Sequence, residues 1–235
     1  MPQPASKSNE IVDKINGMVL RGVRSNELEI QRLRREIEKV RRIDAAEGFM
    51  LEGMLAVFLH DADAVKSAYE KSVRRSGGDP LILENYARSL FLLGDSHKSV
   101  EIVRTLPPTL LTMHLALHNG AYRTAYEKSV ALDKAEQLEP HMQFLQNNKL
   151  DEDVVIDVVA YASKAVWDHG AYINGAMVSQ INGSVLHSLL LSPTESIESV
   201  LGMENQIDEH FAALEDRIQR KGFAFSLEIN EPIAA

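Results

Sequence analysis

The sequence predicts a mainly α protein, in which helical hairpins stack side by side and a small C-terminal α+β module of strand, helix and strand follows. Three observations carry this expectation. The hexapeptide AYEKSV occurs at Ala68–Val73 and again at Ala125–Val130, and a copied segment marks a structural unit that stacks on itself. From Glu10 to near Gly170, apolar residues recur at helical spacing and are interrupted by turns rich in Gly, Asp, Asn and Pro. Towards the C-terminus the period changes to two: in Phe223–Ile229, Phe223, Phe225, Leu227 and Ile229 alternate with Ala224, Ser226 and Glu228.

Composition narrows the function classes. The chain has 235 residues, 45% apolar and 25% charged, enough for one large or two small domains. With no cysteine, disulfide frameworks, thiolate metal sites and cysteine nucleophiles are excluded, and a reducing, cytoplasmic setting is expected. The opening MPQPASKSNE lacks the apolar core of a secretory signal. No run of about 18 apolar residues provides a membrane span. A formal net charge of −9 disfavours indiscriminate nucleic-acid binding. The charge is uneven, with eight Arg or Lys against four Glu over residues 21–42 and nine acids against three bases over residues 193–235.

Four regions are expected. Residues 1–9 read as a disordered lead. Residues 10–43 form basic amphipathic helices: Ile11, Ile15, Met18 and Val19 share one side, Ser25 or Asn26 caps the next helix, Glu27 and Glu29 favour its first turn, and Ile30, Leu33, Ile37 and Val40 form its stripe. Residues 44–170 hold the hairpins. The first runs from Ala46 to Leu59, turns at His60–Asp63, continues through AVKSAYEKSVRR and stops at Ser76–Pro80. The second is LILENYARSLFLL, turn GDSH, then KSVEIVRTL, closed by Pro107–Pro108. The third is LLTMHLALH, turn Asn119–Gly120, then one long helix to Glu139–Pro140.

The turn and contact residues resemble the tetratricopeptide repeat over residues 44–140. Gly53 stands where that family's first helix takes a small residue, Val65, Tyr69 and Ser72 occupy the small and aromatic places of its second helix, and Pro80 lies near the terminating proline. In the second copy Ala87, Ser99 and Val103 take the corresponding places. The third copy departs, since its turn follows the second by 25 residues and not 34, so its first helix must be short. The family's first-helix Trp is missing throughout. The resemblance implies an α-solenoid whose two AYEKSV tyrosines, Tyr69 and Tyr126, occupy matching slots between adjacent helices, and a concave groove lined by first helices.

After a short helix at HMQFLQNNKLDED, Asp151–Asp153 start a helix carrying Val154, Val155, Val158, Val159, Ala162, Val166 and Trp167 and ending near His169–Gly170. This helix is expected to cap the stack, with Trp167 in its core. Residues 171–235 form the α+β module. Ser184–Leu191 and Phe223–Ile229 read as strands, and a helix between them, begun by Thr194 and carrying Ile197, Val200, Leu201, Ile207, Phe211, Leu214 and Ile218, makes a parallel crossover. Two strands are marginal alone, so residues 171–181 or a second copy of the chain supply a third.

Each candidate site has a structural counterpart. His114 and His118, four apart, share a helix face and could hold zinc, as in a metal-dependent hydrolase. Leu115 stands where the H-E-x-x-H pattern needs Glu, and no cofactor is expected. Asp151, Glu152, Asp153 and Asp157 suit a helix start better than a calcium loop. His187 and His210 could pair as acid and base, but no nucleophile lies near them in sequence, so an interfacial role is expected. Arg32, Arg34, Arg35, Arg41 and Arg42 offer phosphate contacts, with Glu36, Glu38 and an apolar stripe favouring a solvated helix. The expected function is a non-enzymatic scaffold that binds a protein or peptide in a groove lined by Glu52, Asn85, Arg88, Phe91, His114 and His118. Homodimerisation through the C-terminal module or N-terminal helix is a further expectation. The alternative is an accessory subunit of a nucleic-acid complex.

Overall fold

The computed structural model describes residues 4–21, 27–212 and 222–229, with the backbone alone for residues 4–6 and 19–21. Among these the chain is mainly α, with eleven helices and one three-stranded sheet at its C-terminal end. No helix among the described residues is long and apolar enough to cross a membrane. The chain divides into two compact units, Met1–Ser89 and Leu90–Ala235.

The first unit holds α1 (Pro4–Arg21), α2 (Glu27–Ile43), α3 (Ala45–Phe58), α4 (Ala62–Ser76) and the start of α5 (Pro80–Leu92). α1 begins at Pro4, which corrects the disordered lead over residues 4–9: proline suits a first helical position, and Ser8 is already buried. Ile11, Ile15 and Met18 bury one face, as do Ile30, Leu33, Ile37 and Val40 of α2. The Val19 side chain and the expected cap at Ser25 or Asn26 lie outside the described residues. A single residue, Asp44, separates α2 from α3, and its carboxylate accepts the Glu47 N–H at 3.0 Å. Gly48 lets α3 approach α2 closely, since a β-carbon there would collide with the Arg41 backbone. Ser72 of α4 donates to the Ala46 carbonyl at 2.6 Å, tying the hairpin α3–α4 at its open end.

One backbone turn recurs along the chain. His60, Gly94, Gly120 and Asp133 all have left-handed φ, at 53°, 79°, 78° and 56°. The residue after each donates back to a carbonyl five positions earlier: Asp61 to Ala56 (3.0 Å), Asp95 to Leu90 (2.8 Å), Ala121 to Ala116 (2.9 Å) and Lys134 to Ser129 (2.8 Å). This satisfies a carbonyl that the ending helix leaves free. Aligned on Asp61, Asp95 and Ala121, the residues four positions on (Val65, Ser99, Ala125) and eight positions on (Tyr69, Val103, Ser129) are all fully buried.

That register corrects the reading of the hexapeptides. Asp61 and Ala121 are 60 residues apart and the two AYEKSV copies 57, so the copies are out of step by three residues, or about 300° of helix rotation. Tyr69 is fully buried, whereas Tyr126 is half-buried. The equivalent slots are defined by the turns, and Ser129 rather than Tyr126 stands where Tyr69 does.

The second unit contains α6 (Ser96–Thr105), α7 (Leu110–His118), α8 (Tyr122–Ala131), α9 (Ala135–Asn148), α10 (Glu152–Asp168), β1 (Ile173–Ile181), β2 (Ser184–Leu191), α11 (Ile197–Ala212) and β3 (Phe223–Ile229). α7 has nine residues against fourteen in α3, the expected shortening. The single long helix expected to stop at Pro140 is two helices. The turn at Asp133 breaks it, and Pro140 lies inside α9, where it removes one backbone donor and its carbonyl accepts from Gln180 at 3.1 Å. α10 packs against both α6 and α11, so it is an inner element and not the expected terminal cap. Trp167 is half-buried.

The strands follow the sequence pattern. Asn182 and Gly183, with φ of 51° and 80°, turn β1 into antiparallel β2. β3 lies parallel to β2, giving the order β1-β2-β3 with α11 in the crossover. α11 begins at Ile197, behind Ser196, whose hydroxyl accepts the Ser199 N–H at 3.1 Å, and not at Thr194. Its buried stripe is Val200, Met203, Ile207 and Phe211, while Ile197 and Leu201 are exposed. Leu214 and Ile218 lie outside the described residues.

Candidate partner-binding cleft

The six residues expected along one groove have separate fates. Glu52, Asn85 and Arg88 belong to the first unit, and Phe91, His114 and His118 to the second. Asn85 uses its amide within its own helix, donating to the Leu81 carbonyl at 2.9 Å, and touches the Met50 sulfur at 3.6 Å. Arg88 is exposed. Phe91 is 3% exposed, which corrects its assignment to a surface: it packs beside His118, with ring centroids 6.4 Å apart. His114 and His118 stack at 6.3 Å, and among the described residues no group of three His, Asp or Glu is placed to hold a metal ion.

Glu52 faces another way. α2, α3 and α4 enclose a cleft of about 330 Å³, with Ile37, Leu55 and Leu59 on its apolar side and Arg34, Glu38, Glu52 and Asp61 as its polar groups. Arg41 bridges Glu52 at 2.7 Å and also pairs with Glu38, while its guanidinium sits 5.4 Å over the Phe49 ring. Burial raises the Glu52 carboxyl above its usual range, opposed by the charges of Arg41 and Lys71. Arg41 is therefore engaged by carboxylates of its own unit. Arg42 is exposed and pairs with Glu38 at 3.2 Å, and Arg32, Arg34 and Arg35 are exposed. Arg32, Arg35, Lys39 and Arg42 follow 3-4-3 spacing on the side of α2 opposite its buried stripe.

Comparison of the chain with protein-family models, curated proteins and solved structures found no match. Its functional reading therefore rests on its own geometry.

Several polar residues of the second unit carry more structure than their sequence context signals. Asp151 caps α10, accepting the Asp153 N–H at 3.2 Å. Glu152 is 5% exposed, accepts the Arg123 N–H and meets Arg104 at 3.4 Å. Asp157 instead meets His97 at 2.7 Å. The acidic run thus divides into a cap, a buried brace and a surface pair. His187 and His210 do not pair: His210 stacks on Tyr161 with centroids 3.7 Å apart, while His187 is fully buried with Nδ1 3.2 Å from the Tyr122 hydroxyl. Only the placement of a histidine within a mainly apolar strand, SVLHSLLL, marked His187 in advance.

Proposed function

We propose that the protein is a non-enzymatic, cytoplasmic interaction scaffold and that a segment of a protein partner binds the cleft between α2, α3 and α4. The cleft itself carries this reading. Its apolar side of Ile37, Leu55 and Leu59 suits the apolar stripe of a partner helix or extended peptide. Arg41 and Arg42 already pair with Glu38, and Arg41 with Glu52, so the apolar side supplies the recognition. Affinity capture of the tagged chain from its host, read by mass spectrometry, tests it. Leu59 is half-buried, so Leu59→Glu reaches the cleft without emptying the core. The variant is expected to keep its helical circular dichroism and lose the captured partner. An unchanged capture discards the cleft, and loss in Asn85→Ala/Arg88→Ala instead moves the site to α5.

The second reading is an accessory subunit of a nucleic-acid complex, supported by the cationic stripe Arg32, Arg35, Lys39 and Arg42. It predicts binding to a duplex at low salt that falls steeply as salt rises. No binding at low salt removes it.

A further inference from the structure

The second unit buries two histidines with no carboxylate among the groups acting on them. His187 of β2 is fully buried; Nδ1 meets the Tyr122 hydroxyl of α8, and Nε2 has no hydrogen-bond partner. His141 of α9 is 7% exposed, and neither of its ring nitrogens has a partner. Tyr122, itself fully buried, lies between them, edge-on to His141 with centroids 5.5 Å apart and stacked with His187 at 6.4 Å. Buried polar atoms without partners are uncommon and call for a reason. Three sit here on two side chains that bridge a helix and a strand.

We propose that this contact is a proton-operated latch: protonation of His141 and His187 in mild acid releases the three-stranded sheet from α7, α8 and α9. From α7 comes His118, from α8 Tyr122 and from α9 His141. β1 places Val178 and β3 places Phe225 in register with His187, and α11 sets Phe211 against Phe225, none of them titratable. The charges acting on His187 are those of His118 and His141, both of the same sign as its own. No carboxylate offsets them, and the backbone of His118 does so only in part. Burial keeps the Tyr122 phenol neutral by pushing its pKa up, so it supplies no counter-charge either. A buried imidazolium in that setting is costly.

Burial, with added repulsion from His118 and His141, pushes the His187 pKa down to about 3, and burial lowers that of His141. A released histidine takes up a proton near its ordinary value of about 6.5. The folded values are depressed, so the latch is closed above that ordinary value. It loses stability progressively as pH falls below it towards the folded pKa. The apolar side chains of the sheet that are now buried, Val185, Leu189, Leu191, Phe223 and Leu227, would become available to another surface on release.

Hydrogen exchange of the full chain, corrected for the intrinsic pH effect and compared between about pH 7.5 and about pH 5, tests the latch. The expected result is a loss of protection of about tenfold or more in 173–191 and 223–229, since one unit of pKa displacement corresponds to a tenfold change. The helices α3 and α4 keep theirs. The double variant His141→Leu/His187→Gln is expected to remove most of the acid sensitivity. Should it fail to fold, His141→Leu alone must reduce the acid effect while leaving protection at the higher pH intact. Equal protection of the wild-type sheet at both pH values overturns the proposal. So does a uniform loss across both units, or an acid effect unchanged in a folded variant.

Discussion

A β-carbon built on Gly53 would lie 2.5 Å from Cε2 of Tyr69, whose ring is fully buried between helices of the first unit. That ring also stacks on Tyr86, with centroids 5.1 Å apart, and its hydroxyl is hydrogen-bonded to that of Ser89 at 3.1 Å. The glycine creates the space that the tyrosine fills. Gly53→Ala should cost about 1–3 kcal/mol through overpacking. Tyr69→Phe should cost about 0.5–1.5 kcal/mol through the lost hydrogen bond. Chemical denaturation checks both. The coupling is tested by introducing Gly53→Ala into Tyr69→Leu: a penalty as large as in the wild type would show that the tyrosine is not what the glycine accommodates.

The recurring turn makes opposite predictions at two of its positions. Gly94 has φ of 79°, and a β-carbon there would meet the Ala160 carbonyl and the Lys164 nitrogen at 2.7 Å each. Gly94→Ala should therefore destabilise by more than the ~1–2 kcal/mol of a left-handed residue alone. Asp133 adopts the same hand and is exposed. Asp133→Gly should leave stability unchanged or raise it by up to about 1 kcal/mol. A shift of thermal midpoint in the same direction for both would contradict the shared-turn account.

Glu152 supplies a pH test independent of the histidines. Burial raises its carboxyl above the usual range, more than hydrogen bonding from the Arg123 and Thr124 backbone and the Arg104 charge lower it. A raised folded pKa favours the protonated form, so its contribution is fully present below the unfolded pKa and is lost as pH rises through the folded value. Glu152→Gln mimics the protonated state and should match or exceed wild-type stability at neutral pH, the difference closing below about pH 4. Glu152→Ala leaves the Arg123 N–H without its acceptor and should cost about 1–3 kcal/mol.

Two arginines of α2 should separate structure from binding. Arg41→Ala removes the partner of Glu52 and the cation over Phe49 and should lower stability by about 1 kcal/mol. Arg35→Ala, on the exposed stripe, should change stability by less than about 0.5 kcal/mol. If the second functional reading is correct, only the latter variant weakens duplex binding without unfolding the chain, measured by fluorescence anisotropy.

The strands illustrate what local pattern can specify. Ser184–Leu191 and Phe223–Ile229 form strands over the residues where their pattern placed them, and Asn182–Gly183 turns the chain between β1 and β2. Each signal is complete within a few residues: alternation selects a face, and an Asn-Gly pair tolerates left-handed backbone. α2 behaves likewise, burying the four apolar residues its spacing selects. The cleft was not legible, because its lining comes from three helices and, of the residues expected along a partner groove, only Glu52 lies in it.

The amino-acid sequence by itself determined where most helices and strands begin and end, and that the second half would close with a parallel crossover, because propensity, capping and periodicity act over one or two turns of chain. Tertiary structure alone decided that Tyr69 is buried while Tyr126 is not, that Phe91 is core, and that His141 and His187 meet around Tyr122. Those outcomes depend on the angular position of each residue relative to a turn, and on which distant element arrives opposite it. An offset of three residues, invisible as a change of composition, is enough to rotate an identical hexapeptide away from its neighbour's slot.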